Sequence, residues 1–114
     1  MKFMLLIHQG TTPIPGTDAW DALSDDERGG VYAAYQAVNQ TPGFTPGQQL
    51  GGPEAATTVR AENGAPQATE GAIEDPLGGY AFFEADDLEA AVALAAKIPA
   101  ASMGGAVEVR PVVG

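Results

Sequence analysis

His8 is the only histidine in the chain, and it stands at the exit of the apolar run Phe3–Ile7, beside a long polar stretch. Ligand sites of open sheets gather at strand exits of this kind. An imidazole titrates near neutrality, which makes it the natural general acid or base. The competing reading is a side chain that lines a pocket or packs in an interface. Glu70 is a candidate to orient the imidazole from a neighbouring strand, as the third group of a triad does; Asp18 is the other candidate for that role. Against catalysis, Glu70 reads as a carboxylate at a hairpin end that accepts backbone N–H groups. Trp20, between Asp18 and Asp21, suits a flat or cationic ligand, or anchors its loop against the core. Arg60 and Arg110 are two of three arginines in an acidic chain. They would receive an anionic ligand or pair with carboxylates. Tyr80 is the strand-borne candidate for ligand contact. Asp86-Asp87 reads as a helix cap. With no second histidine and no ligand-spaced cluster, no metal is expected, and no other cofactor.

The elements that must position these residues are clearest in Leu77–Val112. Tyr80–Ala85 is a short aromatic run and reads as a strand. Tyr80 and Phe82 share one face and Phe83 takes the other, one set for the core and one for an interface. Asp86 or Asp87 caps a helix whose stripe is Leu88, Ala91, Val92, Ala95 and Ile98. Pro99 discourages continuation. Gly104-Gly105 turns the chain into Ala106–Val112, where Pro111 marks an edge or terminus.

The first half begins with Phe3–Ile7, whose continuous apolar character predicts a central strand covered on both faces. Gln9–Ala22 is expected to be a loop. Ser24 and Glu27 make a capping box for a helix over Asp25–Asn39, with Val31, Ala34, Tyr35 and Val38 inward. Thr41–Pro53 reads as loop with a brief strand at Gln48–Leu50. Ala56–Arg60 and Pro66–Thr69 flank Asn63-Gly64, a tight-turn signal. The expected fold class is α+β: a ferredoxin-like βαββαβ core with an inserted hairpin, in one domain spanning residues 1–114. A helix on one face leaves the other face bare unless a second subunit covers it.

Fifteen acidic residues against five basic ones give a net charge of −10 and no cysteine is present. That balance repels nucleic acid and anionic membranes, and excludes disulfides, thiol nucleophiles and Cys-ligated zinc. The apolar part of MKFMLLIHQG is too short for a signal peptide. No segment approaches a membrane span. A cytoplasmic location follows as the expectation.

MKFMLLI, TTVR, the NG turn, TEG, LGGY, ADDLEAA and GAVEVRPV, in that order, resemble the YCII-related family and, within it, the DGPF-domain branch. The resemblance covers nearly the whole chain. It implies a dimeric α-β barrel, in which two ferredoxin-like subunits pack sheet against sheet. Glu70-Gly71-Ala72-Ile73 stands where the branch has D-G-P-F, and only Glu74-Asp75-Pro76 separates it from Leu77. Catalytic members of the wider superfamily are thought to use a histidine on helix one and an aspartate near the end of helix two. Helix one here has no histidine, and Ile98-Pro99 occupies the aspartate's region, so that dyad is not carried over. The functional expectation is a homodimer with a small-molecule pocket, performing cofactor-free elimination, isomerisation or cyclisation with His8 as base. The alternative is a non-catalytic binding or regulatory module, since some relatives are linked to sigma factors.

Overall fold

The computed structural model describes residues 1–52, 55–71 and 77–113, with Ala61 and Glu62 described as backbone only. In chain order the elements are β1 (Lys2–His8), α1 (Asp18–Asp21), α2 (Asp25–Asn39), β2 (Phe44–Gln49), β3 (Thr57–Glu62), β4 (Ala65–Glu70), β5 (Leu77–Glu84), α3 (Leu88–Ala95), α4 (Pro99–Ser102) and β6 (Ala106–Pro111). Four strands form one antiparallel sheet in the order β2-β5-β1-β6, and among the described residues β3 and β4 make a separate two-stranded sheet. Without the hairpin, the sequence β1-α2-β2-β5-α3-β6 is the ferredoxin-like βαββαβ arrangement. The hairpin enters between its second and third strands.

Alternation within the strands sets which face is packed. Phe3 and Leu5 of β1, with Ala81 and Phe83 of β5, turn toward the helices and are buried. They form the core with Val38 of α2, Ala91 and Leu94 of α3, and Ile98 and Ala100. Met4, Leu6 and His8 point to the opposite face and are only half-buried. The expectation that β1 is covered on both faces is therefore corrected for the single chain. β1 is central, but among the described residues the helices lie on one side of it.

Capping fixes both long helices. The Ser24 hydroxyl accepts from the Glu27 N–H at 3.1 Å, and the Ser24 N–H donates to Glu27 Oε1 at 2.9 Å. The Ser24 N–H bond to Oε1, seconded by the Ser24 hydroxyl acting on the carboxylate, favours the ionised form and holds Glu27 below its ordinary value of 4.5. At α3, Asp87 Oδ1 accepts from the Ala90 N–H at 2.9 Å. The buried stripe of α3 differs from the expected one. Ala91, Leu94 and Ala95 face inward, followed by Ile98, while Leu88 and Val92 remain 54% and 51% exposed. Helical spacing permits either stripe, and the sheet selects the one that continues into Ile98. Pro99 begins α4 at its N1 position rather than only stopping α3; its missing N–H costs nothing there.

β2 runs over Phe44–Gln49 as an edge strand, longer than and N-terminal to the expected Gln48–Leu50. Its register with β5 shifts between Pro46 and Gln49. An edge with an irregularity is where a sheet tolerates proline. Asn63 (φ 52°) and Gly64 (φ 80°) close the β3–β4 hairpin, with both central residues left-handed as a two-residue turn of this kind requires. Every residue of β4 is exposed.

Candidate functional site

A pocket of about 300 Å³ opens between the helix-covered face of the sheet, α2 and the segment that follows β1. The core contributes Ile7, Val38 and Ile98, and the aromatic walls are Trp20, Tyr32, Tyr35 and Phe44. Gln9, Thr12, Asn39, Gln48 and Gln49 supply its polar groups, and among the described residues no lining side chain is charged. Burial pushes the Tyr35 hydroxyl above its ordinary 10.0, so the phenol stays neutral. The volume lies at the lower end of the range of small-molecule sites.

Local structure explains the outer wall. The expected loop contains the four-residue helix α1, begun when Thr17 Oγ1 accepts from the Trp20 N–H. Trp20 is buried and meets Tyr32 edge to face, with centroids 5.4 Å apart. Arg28 stitches α1 to α2. Its Nη1 donates to the carbonyls of Trp20, Asp21 and Leu23 at 3.4, 3.2 and 2.6 Å, and its Nη2 pairs with Asp25. The base of the segment is held by backbone contact. Gly10 (φ 55°) lies so close to the α4–β6 turn that a Cβ would stand 2.2 Å from the Gly104 carbonyl oxygen. The Thr11 N–H donates to that same oxygen at 3.1 Å. On the far side, a Cβ on Gly47 would stand 2.1 Å from the Tyr80 carbonyl oxygen, so only glycine fits that position of β2.

Trp20 and Tyr80 line this pocket, as does neither His8, Asp18, Glu70 nor Arg60. Asp18 is the exposed first residue of α1. Glu70 is the exposed last residue of β4, paired with Thr57, and Arg60 is exposed on β3. Because β4 is not a strand of the main sheet, Glu70 is not across a neighbouring strand from His8. The segment 72–76, where the shortened signature region falls, lies outside the described residues.

His8 belongs to the other face of the sheet. Its Nε2 stands 3.5 Å from Oε1 of Glu108 on β6. Arg110, two residues along the same strand, donates to the other carboxylate oxygen of Glu108. The Arg110 hydrogen bond, seconded by His8, holds Glu108 below its ordinary 4.5. Further along the same face, Tyr80 and Phe82 meet edge to face at 6.3 Å, and at the far end of β1 Lys2 Nζ lies 4.8 Å above the Phe82 ring. The sequence reading missed Glu108 as the neighbour of His8. The signal was there, because in antiparallel β1–β6 pairing Glu108 falls opposite Leu6, on the face that His8 shares. It also missed Thr12, which carries no motif. Among the described residues, no group of three His, Cys, Asp or Glu stands as a metal site, and no helix is long and apolar enough to cross a membrane.

The model of the YCII-related domain matches residues 1–114. The chain belongs to the YCII-related domain family. A search of curated proteins found no match. In this YCII-related domain, the ferredoxin-like sheet carries two concentrations of side chains: an aromatic pocket under the helices, uncharged among the described residues, and a polar His8–Glu108–Arg110 row on the open face.

Proposed function

We propose that this YCII-related protein, of the DGPF-like branch, is a single-domain homodimer that binds a small organic molecule in the pocket beside α2. The observation that carries the reading is the pocket itself: a roughly 300 Å³ cleft with aromatic walls and a few convergent polar groups, the composition of ligand sites in general. A fragment screen followed by amide and indole NMR tests it. Hits are expected to move the Trp20 indole and the Gly79 amide. Hits that move only His8 and Glu108, or no residue of the pocket, would sink it.

The homodimer rests on the open face. Met4, Leu6, Tyr80 and Phe82 present a half-buried apolar surface with no helix over it, and a second copy of the sheet suits it in shape and period. Such packing would enclose His8 and Glu108. Phe82→Lys should then convert the dimer to a monomer by sedimentation equilibrium; a wild-type protein already sedimenting as a monomer would refute the arrangement.

A second reading keeps proton transfer, in the form of cofactor-free elimination, isomerisation or cyclisation, and moves it to the open face. There a histidine has an ionised carboxylate at 3.5 Å, the arrangement that orients an imidazole. His8→Asn separates the two. Loss of turnover with pocket binding retained favours catalysis at His8. An expendable His8, with a protein partner retained in a salt-sensitive pull-down, favours the regulatory module.

A further inference from the structure

The lining of the pocket says which chemical class of ligand it selects, given that it is the ligand site. A charged ligand would enter without a counter-charge, because among the described residues no Lys, Arg, His, Asp or Glu lines the walls. Burying an ion unpaired is strongly unfavourable. An anion is opposed further by the net charge of −10. A cation would find aromatic faces, but cation–π attraction is small beside the cost of an unpaired buried ion. The walls contributed by Trp20, Tyr32, Tyr35 and Phe44 instead favour a flat ring, which meets aromatic side chains offset-stacked or edge to face.

One polar atom is left over. Thr12 lines the pocket and is only 8% exposed. Its N–H is satisfied by the Gln9 carbonyl at 2.8 Å, but its Oγ1 is the one buried side-chain polar atom among the described residues without a hydrogen-bond partner. An orphaned buried hydroxyl is destabilising and rare. With no partner in the protein, that hydroxyl keeps its capacity for a hydrogen bond, and the pocket that Thr12 lines is where a partner can come from. We propose that the pocket takes an uncharged, planar ring ligand bearing one hydrogen-bonding group, and that the Thr12 hydroxyl is what recognises that group.

Benzamide, benzoate and benzamidinium test this directly, because they share one ring and nearly one shape while differing in charge. Each is titrated into the wild-type protein and followed at the Trp20 indole and Gly79 amide by NMR. Benzamide is expected to bind in the pocket, with the two ions about tenfold weaker or more. Thr12→Val should weaken benzamide by about fivefold, the loss of one hydrogen bond, while Thr12→Ser keeps the affinity. In the empty protein Thr12→Val should raise the melting temperature, since it removes an unsatisfied group. A role in structure alone would not lower affinity and raise stability together. If benzoate or benzamidinium binds the pocket as tightly as benzamide, the uncharged class is wrong and the pocket reading survives. If none of the three moves the pocket residues while hits of the fragment screen do, the ring-ligand class is wrong and the pocket reading survives; if neither probes nor fragments move them, both fail. If Thr12→Val leaves benzamide binding unchanged, Thr12 is not the recognition group.

Discussion

The two faces of the same four strands have been put to opposite uses. Toward the helices, Phe3, Leu5, Ala81 and Phe83 are buried among apolar neighbours, and the space left over is a pocket with no charged side chain among the described residues. Away from them, one residue along each strand, Leu6, His8, Tyr80, Phe82, Glu108 and Arg110 combine apolar surface with a polar row. The difference shows that a period-two strand writes two environments at once. Neighbours in sequence fall into different sites, and Tyr80 alone among the residues named borders both. Ile7 lines the pocket and His8 does not.

The largest effect that would break this contrast is in the core. Leu5→Ala is expected to cost about 2–5 kcal/mol by urea unfolding, from lost burial and the cavity left behind. Leu6→Ala, on the open face, should cost well under that in dilute protein. It should become more costly as concentration rises if a second copy covers it. Equal, concentration-independent costs would mean that the two faces are not distinct. Next in size are changes to α2, which roofs one face only. Ser24→Ala removes the cap and should lose about 1 kcal/mol. Gly30→Ala should gain about 1 kcal/mol, because a Cβ there meets nothing within 4 Å. A loss instead would place an unseen neighbour on the outer face of α2.

The smallest effect is that of pH. Glu27 on the helix side and Glu108 on the open face both have carboxyls held below 4.5 in the fold. The unfolded chain then binds protons first, so each contributes stability above the ordinary carboxylate range. That contribution is lost as pH falls through the folded value. Glu27 is exposed and Glu108 half-exposed, so the change should be slight and weakened by salt. Glu27→Gln and Glu108→Gln should each flatten the acid limb of a melting curve. A steeper limb in either variant would reverse the sign argued here.

Much of the fold is legible in the residues. Asp25–Asn39 is a helix with the bounds that Ser24, Glu27 and the apolar spacing predict, and Asn63-Gly64 turns the hairpin as its composition demands. The strand over Phe44–Gln49 was hard to read because Pro46 and Gly47 are poor strand formers, tolerated only through an edge position and an irregular register. The stripe of α3 was ambiguous for another reason: Leu88 and Val92 are as apolar as the residues that won, and only the sheet decides between them. The site was least legible. Trp20 stands out by type, but Thr12 and Glu108 acquire meaning through what lies across space, which spacing along the chain does not carry.

The hairpin has a consequence for how the molecule breathes. Among the described residues β3 and β4 pair only with each other, every β4 residue is exposed, Val59 is 62% exposed, and Pro66 has no N–H to give the ladder. Two strands without a packed face hold together only marginally in water. Their amides should therefore exchange with deuterium well ahead of those of β1 and β5, through local openings that leave the four-stranded sheet intact.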